Sequence, residues 1–316
     1  MKTNQFTLKR AYTFKGKGLH TGRLVTMEVA PAPENHGIKF KRVDLGEDAV
    51  IDACVDFVTT TARGTTLEKG DIKISTLEHL MATLYALGVD NALVSIDSQE
   101  VPILDGSALP YADKTFITIR NVPYTELQVL DVNSQPRKIY TLKEKIVYKD
   151  EKSGSEIIVM PDDHFSAEVM IDFNSKVLGN QYSRYTKDTD FVKEIAPCRT
   201  FVFFHELEPL FKNNLIKGGD LDNAIVIVEH PVEQSELDRL AEIFKTDSLK
   251  RAPEGYLNHL QLRYQNECAR HKLLDLIGDF SLAGFRFNAK VIAYKSGHGI
   301  NTKVAKLIRE SAVELI

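Results

Sequence analysis

The sequence predicts an α+β protein of two similar domains with a site between them, and three observations carry that reading. The chain has 316 residues, more than a single core of ordinary size usually encloses. Each half contains a helix, then a glycine, then a strand, preceded by β-like runs separated by turn residues. A short stretch also recurs: Gly88-Val-Asp-Asn-Ala-Leu-Val94 resembles Asp220-Leu-Asp-Asn-Ala-Ile-Val226. The expected division is 1–130 and 131–316, with the linker inside 111–136.

The elements follow in order. Leu24 to Ala30 is rich in apolar and β-branched residues and reads as a strand that Pro31-Ala-Pro33 stops. Ser75 to Leu87 reads as a helix, with Ser75 as N-cap and Gly88 where a C′ glycine belongs. Asp90 to Asp97 is the next strand. Across 111–136 the pattern is least regular: Phe116-Ile-Thr-Ile119 is β-like, Pro123 interrupts it, and Asn133-Ser-Gln-Pro136 is polar. Ile139 to Tyr148, Glu156 to Met160 and Ala167 to Phe173 are strands between Gly, Ser and Asp turns. Glu267 to Ala283 is an amphipathic helix ended by Gly284, and Ala289 to Tyr294 is a strand.

Forty basic and forty-four acidic side chains leave a net charge of −4, so no cationic field for nucleic acid is expected. The short basic run Lys39-Phe-Lys-Arg42 reads as a solvated strand face. Cys54, Cys198 and Cys268 are too scattered for a cysteine metal site or a disulfide framework, and reduced thiols are expected. The first residues lack the apolar core of a signal peptide, and no run has the length that spans a bilayer. A soluble, cytoplasmic protein without a transmembrane segment is expected.

Metal-type ligands stand in two distant places. Glu78-His79 lies in one helix, and His271-x-x-x-Asp275 lies in the other. At 100° per residue His271, Asp275, Gly278 and Asp279 share one side of their helix, opposite Leu273, Leu274, Leu276, Ile277 and Phe280. A His and an Asp four apart can bind one ion from one face, although a surface His–Asp pair has the same spacing. Ser75-Thr-Leu-Glu78 equally fits a capping box, in which Glu78 bonds back to the Ser75 amide. Against that, Leu77, Leu80, Met81, Leu84, Tyr85 and Leu87 surround Glu78 and His79 with apolar neighbours, and buried ionisable groups need a partner or a role. Lys295-Ser-Gly-His298-Gly299 adds a histidine on a glycine-flanked loop, either a general acid or a loop residue with no role. Together these are the parts of a hydrolytic zinc site: three ligands, a carboxylate for the water proton and a histidine to spare. Arg199-Thr-Phe201 precedes an aromatic, apolar stretch from Phe203 to Ile216, readable as core or as a sleeve for an acyl chain.

Several motifs occur in order between residues 5 and 305: Lys17-Gly-Leu-His20-Thr-Gly22, Ser75-Thr-Leu-Glu-His79, Pro102-Ile-Leu-Asp-Gly-Ser107, Asp222-Asn-Ala224, Arg270-His-Lys-Leu-Leu-Asp275 and Tyr294-Lys-Ser-Gly-His298. In these the chain resembles the zinc-dependent UDP-3-O-acyl-N-acetylglucosamine deacetylases of lipid A biosynthesis. The resemblance implies two α+β domains, each with helices layered on a mostly antiparallel sheet, packed face to face around one Zn2+ per chain. It implies His79, His271 and Asp275 as zinc ligands, Glu78 as general base, His298 as the acid toward the leaving amine, Asp279 as its orienting partner and Thr200 at the oxyanion. Leu19, Phe201 and Lys272 would line the substrate site, and Lys295 with Asp172, Phe173 and Asn174 would approach the nucleotide. Phe203, Phe204, Leu207, Leu215, Ile216 and Gly219 correspond to the acyl passage. The substrate would be an acylated UDP-amino sugar and the chain a monomer. The rival readings are a zinc amidase for another N-acyl amino sugar, and a non-catalytic protein that binds nucleotide sugars or lipids.

Overall fold

The structure is a computed structural model and describes residues 4–112, 131–244, 246, 248–257 and 260–315. After β1 (Asn4–Phe6) come β2 (Tyr12–Lys17), β3 (Leu24–Pro31), β4 (Ile38–Arg42) and β5 (Val50–Asp52). The small strands β6 (Val58–Thr60), β7 (Thr66–Lys69) and β8 (Ile72–Ser75) lead into α1 (Glu78–Ala86), and β9 (Ala92–Ile96) follows. The second half has β10 (Asp131–Pro136), β11 (Ile139–Leu142), β12 (Ile146–Asp150), β13 (Ser155–Pro161), β14 (Ser166–Ile171), β15 (Gln181–Tyr185) and α2 (Phe191–Glu194). Next are β16 (Phe201–Phe203), α3 (Phe204–Lys212), β17 (Ile225–Ile227), α4 (Gln234–Phe244) and α5 (Glu267–Ser281). The chain continues through β18 (Arg286–Tyr294), α6 (His298–Ser311) and β19 (Ala312–Glu314).

The two halves repeat one topology. The first sheet runs β2-β3-β9-β4-β5, and the second contains the run β12-β13-β18-β14-β15. In both, the strand after the long helix is central, antiparallel to one hairpin and parallel to the first strand of the other. Alternation places Val25, Met27 and Val29 of β3, and Phe287, Ala289, Val291 and Ala293 of β18, on inward faces. Helices α1 and α5 pack along each other. One apolar cluster runs through both sheets and both helices. A smaller one joins α3, α4 and β17 through Leu207, Leu210, Val226, Leu237 and Leu240, with Leu19 of the first half packed on it.

The repeat is real, but its sequence echo is not the structural correspondence. The unit equivalent to α1–Gly88–β9 is α5–Gly284–β18, with both glycines left-handed at φ 82° and 84°. The stretch from Asp220 to Val226 instead leads into β17, which pairs with β16 in a two-stranded sheet apart from the large ones. The run from Ile139 to Tyr148 is two strands, because the charged Lys143-Glu-Lys145 is exposed and breaks it. The expected strand at Phe116–Ile119 lies outside the described residues, as does the expected division at 130. Strand β10 hydrogen-bonds to β1, so the chain returns to the first half before entering the second. Among the described residues no helix is long and apolar enough to cross a membrane.

Candidate metal centre and its cleft

The centre is made by a helix crossing. At Gly278 the backbones of α5 and α1 touch: a Cβ there would stand 2.1 Å from the Glu78 carbonyl oxygen. Glycine inside a helix costs about 1 kcal/mol relative to alanine, and here the close approach requires it. The crossing brings His79 against His271 and Asp275. The Asp275 Oδ1 atom lies 3.7 Å from His79 Nε2 and 3.4 Å from His271 Nε2. The two imidazoles meet edge to face, with centroids 5.0 Å apart. All three side chains are buried, and their donor atoms lie within 4.8 Å of one another.

This group fits a cation. Asp275 Oδ2 accepts a bond from Lys272 Nζ at 2.9 Å, but its buried Oδ1 has no hydrogen-bond partner. Such an orphaned acceptor costs about 1–3 kcal/mol. His271 Nδ1 lies 3.1 Å from the Cys198 carbonyl oxygen, a partner to which only a protonated Nδ1 donates, so Nε2 carries the free lone pair toward Asp275. Burial and the neighbouring His271 push the His79 pKa down to about 3, and burial lowers that of His271 as well. Burial opposes ionisation of Asp275, but the surrounding imidazoles and the Lys272 ammonium hold its pKa below the usual range. Two neutral imidazoles and a carboxylate are the donors that a divalent transition metal takes.

Glu78 does not cap its helix. Ser75 ends β8, and its amide donates to the Gln99 carbonyl at 2.9 Å. Thr76 then turns the chain at φ 58°, so α1 starts only at Glu78. The carboxylate of Glu78 accepts from the Thr65 amide at 3.2 Å. Burial raises its pKa; His298 opposes the rise, and Asp275 and Asp279 add to it. Nor is the His–Asp pair of α5 on the surface: His271 and Asp275 are each 2% exposed.

His298 is the first residue of α6 rather than part of a loop. Its Nδ1 bonds Asp279 Oδ2 at 2.9 Å, while Nε2 lies 3.7 Å from Glu78 Oε1. Asp279 is fixed by Thr65 Oγ1 at 2.6 Å and Asn301 Nδ2 at 2.9 Å. Burial works against a charged His298, but Asp279, Glu78 and Asp275 overcome it and raise the pKa to about 9.

Long-range anchors set the remaining walls. The Thr200 amide donates to the Gly106 carbonyl at 2.8 Å. Gly106, at φ 77°, has room for no Cβ, because Asn223 O would lie 1.8 Å away. Just before Thr200, the backbone and guanidinium of Arg199 bond the fully buried Glu267. Glu100, also fully buried, accepts from the amides of His20 and Thr21 and the hydroxyls of Thr21 and Thr76, which fixes the Lys17–Gly22 loop.

The structure brings most of the expected residues together. A cleft of about 470 Å³ is lined by Glu78, His79, His271, Asp275 and His298 together with Leu19, Thr200, Phe201, Lys272 and Lys295. Asp279 stands behind His298. Asp172 accepts from Tyr294 at 2.8 Å and Lys295 at 3.2 Å. Phe173 is half-exposed with its ring edge-on to Phe201 at 5.4 Å, and Asn174 turns at φ 54°. None of the three lines the cleft itself; Asp172 reaches its Lys295 and Phe173 its Phe201. An apolar slot of about 80 Å³ opens beside the cleft, sharing Leu19, Arg63, Thr200 and Phe201 and adding Leu207, Leu210, Ile216 and Gly219. Phe203, Phe204 and Leu215 are not among its lining. Phe203 stacks on His205, Phe204 borders a groove between α3 and α4, and Leu215 packs on the small core. Sequence reasoning missed Arg63, Ser155 and Lys303, which also line the cleft, and Glu100, which anchors the loop beside it. Arg63 and Glu100 sit in polar stretches without periodicity; Lys303, five residues after His298, would have emerged had α6 been foreseen.

Comparison with known proteins identifies a family. The family described as LpxC: UDP-3-O-acyl N-acetylglycosamine deacetylase matches residues 5–249 and 246–310. The chain is 46% identical over 306 residues to the bifunctional enzyme LpxC/FabZ of Bacteroides thetaiotaomicron, covering 97% of this chain and 64% of that protein. For the protein of the same name from Porphyromonas gingivalis the identity is 47%, with the same coverage. The chain thus spans just under two thirds of these relatives. It is 38% identical over 317 residues to the UDP-3-O-acyl-N-acetylglucosamine deacetylase of Teredinibacter turnerae, covering 99% of this chain and 93% of that one. On the family match and these relatives, the chain belongs to the UDP-3-O-acyl N-acetylglycosamine deacetylase family.

Proposed function

We propose that this chain hydrolyses the N-acetyl amide of a UDP-3-O-(3-hydroxyacyl)-N-acetylglucosamine in the cytoplasm, releasing acetate and the free amine at an early committed step of lipid A biosynthesis. One observation carries the reading beyond family membership. Glu78 and His298 line the same cleft as a buried His79–His271–Asp275 group, beside an apolar slot. His79, His271 and Asp275 would hold one Zn2+, which when bound supplies Lewis acidity toward the carbonyl oxygen and the attacking water.

The chain's own residues do the rest. Glu78, whose raised pKa suits a base working near neutrality, takes the proton of the water as its oxygen attacks the carbonyl carbon. The Thr200 hydroxyl donates to the oxygen that gains charge as that carbon becomes tetrahedral. His298, kept charged by Asp279, gives its Nε2 proton to the sugar nitrogen as the C–N bond breaks. The water oxygen ends in acetate, and the nitrogen leaves as a neutral amine. Leu19, Phe201 and Lys272 hold the sugar; Lys295 with Asp172, Phe173 and Asn174 faces the nucleotide. Leu207, Ile216 and Gly219 take the start of the acyl chain, with Phe203, Phe204 and Leu215 around it. Residues 1–130 supply Glu78 and His79, residues 131–316 supply the other reacting groups, and one monomer suffices.

Acetate release from acylated and unacylated UDP-N-acetylglucosamine, with elemental analysis of the purified chain, tests this. One zinc per chain and turnover that collapses without the 3-O-acyl group are expected. A zinc-loaded chain that releases no acetate would be a binding protein, and equal rates on both substrates would point to a different N-acyl amino sugar.

A further inference from the structure

Arg63 stands where the cleft meets the apolar slot and lines both. It comes from the first half, on the loop before β7. Its backbone is left-handed at φ 63°, and its carbonyl lies 3.3 Å from His20 Nε2. Its guanidinium reaches Glu206 Oε1, 143 residues later in the chain, at 2.6 Å. Glu206 lies in the first turn of α3, and its other oxygen accepts from the Phe203 amide at 3.2 Å. The same helix supplies Leu207 and Leu210 to the slot wall. The ion pair therefore ties a loop of one half to the wall helix of the other at the slot's entrance. The side chains are 44% and 25% exposed, so the apolar stem of Arg63 can cover the slot while its charged head stays partly in water.

We propose that the Arg63–Glu206 ion pair is a strap over the entrance of the acyl slot, and that it sets how tightly, and with which chain lengths, an acyl chain is held. This rests on the deacetylase reading above. Arg63 and Glu206 are positioning residues: they act through the place of α3 and touch none of the reacting atoms. An ion pair this exposed adds little to overall stability, so its loss falls on binding rather than on folding. An effect of about two- to fivefold on an equilibrium is in scale.

The test uses the zinc-loaded chain and the variants R63M, E206Q and R63K. Steady-state kinetics on substrates with short, medium and long 3-O-acyl chains are measured beside the dissociation constant of the fluorescent fatty acid cis-parinaric acid. In R63M and E206Q, KM for acylated substrate and the fatty-acid dissociation constant should both rise about two- to fivefold. The change should spare kcat, and the preference among chain lengths should flatten. R63K, which keeps the charge, should return both quantities toward wild type, and the thermal midpoint of every variant should stay at the wild-type value. If the wild-type chain releases no acetate while R63M and E206Q still weaken fatty-acid binding, the deacetylase reading falls and the strap stands. The strap is overturned if KM, the chain-length profile and fatty-acid affinity are all unchanged in R63M and E206Q, or if the wild-type chain binds no fatty acid.

Discussion

Alanine at Gly278 puts a methyl carbon 2.1 Å from the Glu78 carbonyl oxygen and 2.9 Å from its carbon. Ordinary contact begins at 3.4 Å, so α1 and α5 must separate by about 1.3 Å. Both clashing atoms are backbone, and no rotamer relieves them. Overpacking of this kind costs about 1–3 kcal/mol, while alanine regains about 1 kcal/mol of helix propensity. The net loss is then about 0–2 kcal/mol, a fall of no more than about 3 °C in thermal midpoint for a chain this long. The centre should respond far more strongly, because its donors sit on opposite sides of the crossing. A displacement of about 1 Å costs on the order of a hundredfold in turnover. Zinc affinity, read by competition with a chromogenic chelator, is expected to fall with it. Calorimetry on the same samples separates the site from the fold. If Gly278→Ala kept wild-type zinc affinity and turnover, the crossing would not be what fixes the centre.

Glu78→Ala should keep its zinc and lose about 10²–10⁴ in kcat, whereas His79→Ala or Asp275→Ala should lose the metal; a fully active Glu78→Ala removes Glu78 as the base. The His298 pKa is raised above its ordinary value to about 9, so its proton is present below that pH and lost above it. An alkaline limb of kcat/KM near there is expected, and Asp279→Asn should shift it to lower pH; a limb that does not move clears Asp279 of that role. Glu267 is fully buried against Arg199, and Glu267→Ala leaves the guanidinium uncompensated. A loss of about 3–5 kcal/mol in urea unfolding is expected, and a loss near zero would contradict the anchor.

The periodic parts of the fold were legible because they are local. Apolar spacing placed β3, β9 and β13, α1 within its bounds, and α5 almost residue for residue. What depends on distant partners was not. Ser75-x-x-Glu78 reads as a capping box, yet the Ser75 amide is taken by Gln99, and the left-handed Thr76 delays the helix. Gly297 and Gly299 argue against a helix at His298. The spacing of Ile300, Val304 and Ile308, all buried on one side of α6, is the sign of that helix in the sequence. The His79–His271–Asp275 group was readable only as two fragments. Nothing between residues 79 and 271 states that Gly278 lets the two backbones touch. In the slot, Leu207 and Ile216 are legible as apolar residues, but Phe203 and Leu215 are no less apolar, and only tertiary packing divides wall from core.

Helices α1 and α5 keep almost no side for water. From Glu78 to Leu84 every residue of α1 is buried, and in α5 only Arg270 and Lys272 are not. Each helix is covered partly by its own sheet and partly by its twin. Either half alone would present the uncovered flank as an apolar stripe, so the two repeats of one topology are expected to melt as a single cooperative unit. The same shared flank forbids a hinge between the halves: parting them would unmake the core together with the centre. Exchange between the centre and solvent therefore has to pass through the cleft mouth and its loops.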